Sequence, residues 1–150
     1  MPFAGMDIGS TMTKVVITDE QEKILASHIG PTGAEHRHLA LRVMDETIKK
    51  AGLSFDALDF VVATGYGRIN VPFADRQITE TTCHARGIRS LFPSARIIID
   101  IGGQDSKGIK LDADGKVANF VMNDKCAAGT GRFLEVISET LGINLADMGD

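Results

Sequence analysis

Cysteine is scarce in this chain: only Cys83 and Cys126 occur in 150 residues. Two thiols make no disulfide framework, and with no C-x-x-C pair this chain alone cannot ligate an iron–sulfur cluster. Positive charge is also short, with 16 Lys and Arg against 20 Asp and Glu for a net −4. That balance offers no general electrostatic footing on nucleic acid or an anionic bilayer, so neither is expected as a partner. No apolar run nears the roughly 20 residues of a membrane-crossing helix, and no charged-then-apolar start marks a signal peptide. A G-x-x-x-x-G-K-[ST] loop is missing, as is G-x-G-x-x-G after a strand, which disfavours P-loop and dinucleotide folds. What is left, 43% hydrophobic and 24% charged, is an ordinary globular composition. The expectation is a soluble cytoplasmic protein of one domain or two small ones.

What is present is an internal repeat. Asp7-Ile8-Gly9-Ser10-Thr11-Met12-Thr13-Lys14 returns as Asp100-Ile101-Gly102-Gly103-Gln104-Asp105-Ser106-Lys107, an offset of 93 (100 − 7) that continues to Asp19/Asp112 and Lys23/Lys116. Six identities in one register across 17 positions imply one supersecondary unit used twice. In each copy an apolar run (3–6 or 96–99) predicts a buried strand leading into Asp-Ile-Gly. A second strand follows the Lys (15–17 or 108–111), and after a polar tip a third (23–29 or 116–122). A helix over 35–51 places Leu41, Met44, Ile48 and Ala51 on one face and stops at Gly52. A helix over 131–141 does likewise with Phe133, Leu134, Ile137 and Leu141, stopping at Gly142. The first copy continues into a strand at 60–63 and a helix near 79–91. The second reaches only the equivalent of residue 57, so the expectation is a first lobe over 1–94 and the opening of a second over 95–150, a piece of a longer two-lobed protein.

A turn with glycine at its tightest point exposes successive backbone N–H groups as an anion-binding nest, here at Gly9. Ser10, Thr11 and Thr13 add hydroxyls and Lys14 a positive charge. Asp7 and Asp100 would repel phosphate but suit a hydrated Mg²⁺, which takes one or two carboxylates and keeps its waters. Two such turns across a cleft would clasp a polyphosphate. Other features are weaker. Asp112-Ala113-Asp114-Gly115 lacks the further ligands of a calcium loop and reads as a hairpin tip. His36 and His38 are poorly spaced for a shared metal and read as a solvated face. Gly65-Tyr66-Gly67-Arg68 reads as an ordinary loop, and Cys83 as a buried small hydrophobe. Cys126 stands before a helix N-terminus among Ala127, Ala128, Gly129 and Gly131, a setting that stabilises a thiolate, although an inert thiol fits the residue chemistry as well.

Five stretches together resemble the activators of 2-hydroxyacyl-CoA dehydratases and the related ATPase subunits of benzoyl-CoA reductase. They are Asp7–Lys14, Val62–Arg68 (VATGYGR), Ile78–Gly87 (ITETTCHARG), Asp100–Lys107 (DIGGQDSK) and Asn123–Glu135 (NDKCAAGTGRFLE). The stretch Asn70–Arg76 is more similar to the reductase subunits. The resemblance implies an α/β fold of the actin-like ATPase (ribonuclease H-like) type, with a duplicated mixed β-sheet and ATP between two lobes. It makes Asp7–Lys14 the first phosphate turn and Asp100–Lys107 the second, so that Gly102, Gly103, Gln104, Asp105 and Lys107 also contact nucleotide. Gln104 is then the candidate for orienting the attacking water, with Asp7 or Asp100 holding Mg²⁺. Cys126 becomes a ligand of a [4Fe–4S] cluster shared between the subunits of a homodimer. ATP hydrolysis would drive an electron, received from a low-potential donor, to an acyl-CoA dehydratase or benzoyl-CoA reductase partner. Two alternatives stay open: a sugar-type kinase with the same clamp, which leaves the Cys126 loop unexplained, and a non-enzymatic actin-like nucleotide-binding module.

Overall fold

The computed structural model describes residues 1–125 and 128–149. The chain divides into two compact units, Met1–Cys83 and His84–Asp150. In the first, β1 (Phe3–Ile8), β2 (Met12–Thr18) and β3 (Ile24–Pro31) form an antiparallel meander. β4 (Phe60–Thr64) then pairs parallel to β1, and the two-residue β5 (Arg76–Gln77) parallel to β4, giving the order β3-β2-β1-β4-β5. Alternate residues of each strand turn to one face, so Ala4, Met6 and Ile8 join Val15, Ile17, Val61 and Ala63 in one core. Helix α1 (His36–Lys50) covers that face, and each fully buried Ile or Met there contributes about 1.5–3 kcal/mol.

The buried stripe of α1 is Leu39, Ala40, Val43, Met44, Thr47 and Ile48, and Leu41 is exposed. The expected face is therefore misplaced at Leu41. Apolar spacing along 39–51 fits two overlapping stripes, and a shift of one residue turns a side chain by about 100°. Thr47 is tolerated inside because its hydroxyl donates to the Val43 carbonyl at 2.6 Å. The stop at Gly52 is a left-handed residue (φ +68°) with Gly52 N–H donating to Lys49 O and Leu53 N–H to Ile48 O, the paired bonds of a Schellman ending.

In the second unit β6 (Ile97–Ile101), β7 (Ser106–Leu111) and β8 (Val117–Asn123) form an antiparallel sheet. Helix α2 (Glu80–Leu91) crosses the division between the units, whereas the repeat arithmetic draws the line after 94. The difference arises because Ala85 and Ile88 of α2 pack on Ile98, Ile109, Leu111 and Val117 of the second sheet. Helix α3 (Gly131–Leu141) ends at Gly142 with the same two bonds as α1, to Glu139 and Ser138. Its anticipated apolar face is open: Phe133, Leu134 and Leu141 are exposed, and Ser138 is the buried residue of the helix. No helix among the described residues is long and apolar enough to cross a membrane.

The repeat is visible down to single hydrogen bonds. Gly9 N–H donates to Met12 O at 3.0 Å, as Gly102 N–H does to Asp105 O at 2.9 Å. The Asp19 and Asp112 carboxylates each accept the N–H of the lysine four residues on, at 2.9 Å. Even the ladder irregularity recurs 93 positions on, between Ile17 and Thr18 and between Lys110 and Leu111. Glu22 and Gly115 occupy the same left-handed tip position, where Glu bears a strain that Gly avoids.

Candidate functional site

In the first unit the ladder sets Asp7 opposite Lys14, and Lys14 Nζ donates to Asp7 Oδ2 at 2.9 Å with the lysine still 44% exposed. Ser10 and Thr11 are exposed at the tip, and neither hydroxyl has a hydrogen-bond partner among the described residues. Thr13 differs. It is fully buried, and its hydroxyl pairs with Thr32 at 3.0 Å. Thr32 in turn donates to Gly9 O at 2.9 Å and, through its N–H, to Thr11 O. Thr13 thus braces the turn from inside rather than presenting a hydroxyl at its surface, and Thr32, which sequence reading missed, is the residue that closes it.

The second turn uses the same backbone with different neighbours. Here the N–H groups of Gly131 and Arg132, at the start of α3, donate to Gly102 O and Gly103 O at 2.9 and 3.0 Å, and Ser106 Oγ donates to Gly129 O. Gly102 is closely hemmed in, since a Cβ there would stand 2.8 Å from Asp105 Oδ1, a side-chain tip, and 3.2 Å from Asp105 O. Gln104 is exposed at the tip, and Gly103 is half-buried. Lys107, the counterpart of Lys14, is buried with its ammonium 2.7 Å from Asp105 and 3.7 Å from Asp100. His84 Nδ1 of α2 lies 3.1 Å from Asp100 Oδ2.

Four buried side-chain atoms among the described residues have no hydrogen-bond partner: Asp7 Oδ1, Thr64 Oγ1, Asp100 Oδ2 and Thr130 Oγ1. They fall into two like pairs. Thr64 ends β4 directly opposite Asp7 on β1, and Thr130 begins the helix that is bonded to the Gly102–Gly103 turn. Each unit therefore buries one carboxylate oxygen and one hydroxyl without a hydrogen bond from the described residues, Asp100 Oδ2 having only the ion-pair contacts with His84 and Lys107, a costly arrangement that a ligand could relieve. A cation keeping its water shell, such as Mg²⁺, is the kind of group whose bound water would donate to a carboxylate oxygen of this sort, and the chemistry of Asp7 and of Asp100, each in its own unit, fits it.

The loop after β4 is more than a connector. Gly65 (φ +83°) lies so close to the end of β1 that a Cβ would stand 2.2 Å from Asp7 Oδ1 and 2.5 Å from Ile8 O. Gly67 N–H donates to Ile8 O, and Arg68 Nη1 donates to Gly65 O. Two glycines placed just past a strand parallel to β1 are the available signal. His38 is exposed against Glu35, but His36 is half-buried beside this loop, with Nδ1 3.5 Å from Asn70. Cys83 is half-buried rather than enclosed. Cys126 lies outside the described residues. Two of the α3 N–H groups expected to favour its thiolate are already donating to Gly102 and Gly103.

The sequence model of the BadF/BadG/BcrA/BcrD ATPase family matches residues 4–150. The chain is 47% identical over 150 residues to the 2-hydroxyisocaproyl-CoA dehydratase activator of Clostridioides difficile, covering 97% of this chain and 54% of that protein. Identity to a benzoyl-CoA reductase subunit of Thauera aromatica is 33% over 150 residues, with 97% and 53% covered. A solved structure of the Clostridium difficile activator with bound ADPNP matches at a TM-score of 0.89 and 47% identity, covering 99% of this chain and 55% of that one. A ROK hexokinase from Thermus thermophilus, 13% identical at a TM-score of 0.58, shares the fold alone. The architecture is that of the actin-like, hexokinase-type ATPases. The chain spans about half the length of the curated relatives it matches.

Proposed function

The chain belongs to the BadF/BadG/BcrA/BcrD ATPase family, and from that premise we propose that it is the nucleotide-binding part of an ATP-hydrolysing activator. Its task in this reading is to deliver a low-potential electron from a [4Fe–4S] cluster to a 2-hydroxyacyl-CoA dehydratase or benzoyl-CoA reductase. The observation that carries the nucleotide half is the pairing of orphaned atoms, one Asp oxygen and one Thr hydroxyl at each repeated turn. Mg·ATP answers both kinds of need, since cation-bound water donates to carboxylates and phosphate oxygens accept from hydroxyls. At the first turn Lys14, Ser10, Thr11 and the Gly9 backbone face the phosphates. At the second, Gly102 and Gly103 bring the backbone close, Gln104 orients the attacking water, and Lys107 holds Asp105, with Asp100 at longer range. Positioning and electrostatics carry most of phosphoryl transfer.

The electron-transfer half rests on the likeness to the activators, 47% identical in the Clostridioides difficile case. A [4Fe–4S] cluster needs four thiolates, and this chain offers at most Cys126, with Cys83 on a separate helix. The donor set here does not by itself complete such a cluster, so a homodimer and further cysteines belong to the proposal. The kinase alternative is supported only by shared fold. The test is ATP hydrolysis and electron transfer to an acyl-CoA dehydratase, measured anaerobically with the intact natural protein. Nucleotide-independent electron transfer would defeat the proposal, and phosphorylation of an added sugar would favour the kinase.

A further inference from the structure

We propose that His84 is the positioning residue for Asp100, taking over at the second turn the part that Lys14 plays for Asp7 at the first. The inference rests on the reading that these turns hold Mg·ATP. In the first unit a direct lysine bond, Lys14 Nζ to Asp7 Oδ2 at 2.9 Å, fixes one carboxylate oxygen and leaves Oδ1 for the ligand. In the second unit the equivalent Lys107 is drawn away. Position 105 is Asp where the first copy has Met12, and Lys107 Nζ sits 2.7 Å from Asp105 against 3.7 Å from Asp100. Asp100 has thereby lost the close lysine that its twin retains.

His84 stands in the gap. Ile98 and Asp100 share the face of β6 that α2 covers, and Ala85 and Ile88 of α2 are packed against the sheet, which fixes the height of the helix. The residue before Ala85 then reaches the strand end, placing Nδ1 3.1 Å from Asp100 Oδ2. A carboxylate oxygen only accepts, so the pairing requires the hydrogen on Nδ1. The approach is close enough to pair but out of line for a full hydrogen bond, which leaves Oδ2 able to accept from cation-bound water. The charged groups around the pair are Asp100 on β6, Lys107 on β7, Asp105 in the turn and Glu80 one turn earlier on the same helix. Partners that orient a metal-facing group without touching the metal are worth roughly 10- to 100-fold in metal affinity. Contact through water sets the expectation at the lower end.

The experiment measures ATP affinity of the intact natural protein by calorimetry across a Mg²⁺ series and again in EDTA. His84→Leu should raise the Mg²⁺ needed for half-maximal binding by about tenfold while the affinity in EDTA stays at the wild-type value. His84→Asn, whose amide nitrogen falls where Nδ1 was, should restore the wild-type Mg²⁺ requirement. If His84→Leu does not fold, His84→Gln, with its amide moved to the place of Nε2, provides the same contrast. An unchanged Mg²⁺ requirement in His84→Leu overturns this inference alone, as does an equal fall with and without Mg²⁺. A wild-type protein that binds no Mg·ATP overturns the parent reading and this inference with it.

Discussion

Replacing Gly65 by alanine tests whether the loop after β4 is built against Asp7. Two costs apply at this position. The backbone is left-handed, at φ +83°, which for alanine costs about 1–2 kcal/mol. The added Cβ would also meet Asp7 Oδ1 at 2.2 Å and Ile8 O at 2.5 Å, and strand backbone cannot yield as a side-chain tip can. Forcing an atom into such a place typically costs a further 1–3 kcal/mol or so. Gly33 supplies the control, since its φ of +65° carries the first cost while nothing stands within 4 Å of its Cβ position. Urea unfolding of the intact natural protein should therefore show Gly33→Ala destabilised by about 1–2 kcal/mol and Gly65→Ala by about 2–5 kcal/mol. Because the clash falls on Asp7, Gly65→Ala alone should also weaken Mg·ATP binding. Equal losses in the two variants, with equal nucleotide affinity, would show that backbone conformation is the whole effect and that the loop does not position Asp7.

Three further outcomes follow from the site. Lys14→Ala should lower ATP hydrolysis about thirtyfold to several hundredfold, from a positioned contact of roughly 2–4 kcal/mol, with little change in melting temperature because Lys14 is 44% exposed; wild-type turnover would remove this residue from the phosphate site. Thr32→Val should cost about 2–4 kcal/mol in urea unfolding, since it deletes the bond to Gly9 O and strands the buried Thr13 hydroxyl; a loss below about 1 kcal/mol would mean that the first turn is closed by other groups. In anaerobic protein Cys126→Ser should abolish the visible absorbance of a cluster and leave nucleotide affinity unchanged, whereas Cys83→Ser should keep the absorbance; the opposite pattern would assign the ligand to Cys83.

The strands, their order of use and the two turns were legible because the repeat carries its own register. The Asp-Ile-Gly phrase, the Asp19 and Asp112 tips and the stops at Gly52 and Gly142 depend on bonds within a few residues of themselves, and such bonds are written locally. What was not legible depends on competition between distant groups. Thr13 has the sequence context of a surface hydroxyl but lies opposite Thr32, 19 residues on, which takes it inward. The stripe of α1 was misjudged at Leu41 because spacing alone does not say which of two adjoining faces the sheet will meet. His84 was passed over because nothing near it in the chain needs a histidine; its partner Asp100 arrives from another element.

The divergence of the two turns from one template has an electrostatic logic. At the first, Asp7 and Lys14 cancel, and the lysine keeps its ammonium partly in solvent, free to meet an anion without leaving its carboxylate exposed to one. At the second, two carboxylates, Asp100 and Asp105, share one buried lysine. An excess of carboxylate at one spot favours a cation there, and burial strengthens the preference by lowering the effective dielectric. The exchange of Met12 for Asp105 accompanies the difference: Lys107 lies 2.7 Å from Asp105 and keeps only the longer 3.7 Å contact with Asp100. One backbone pattern thus carries two unlike charge arrangements, a one-to-one pair in the first unit and two carboxylates to one lysine in the second.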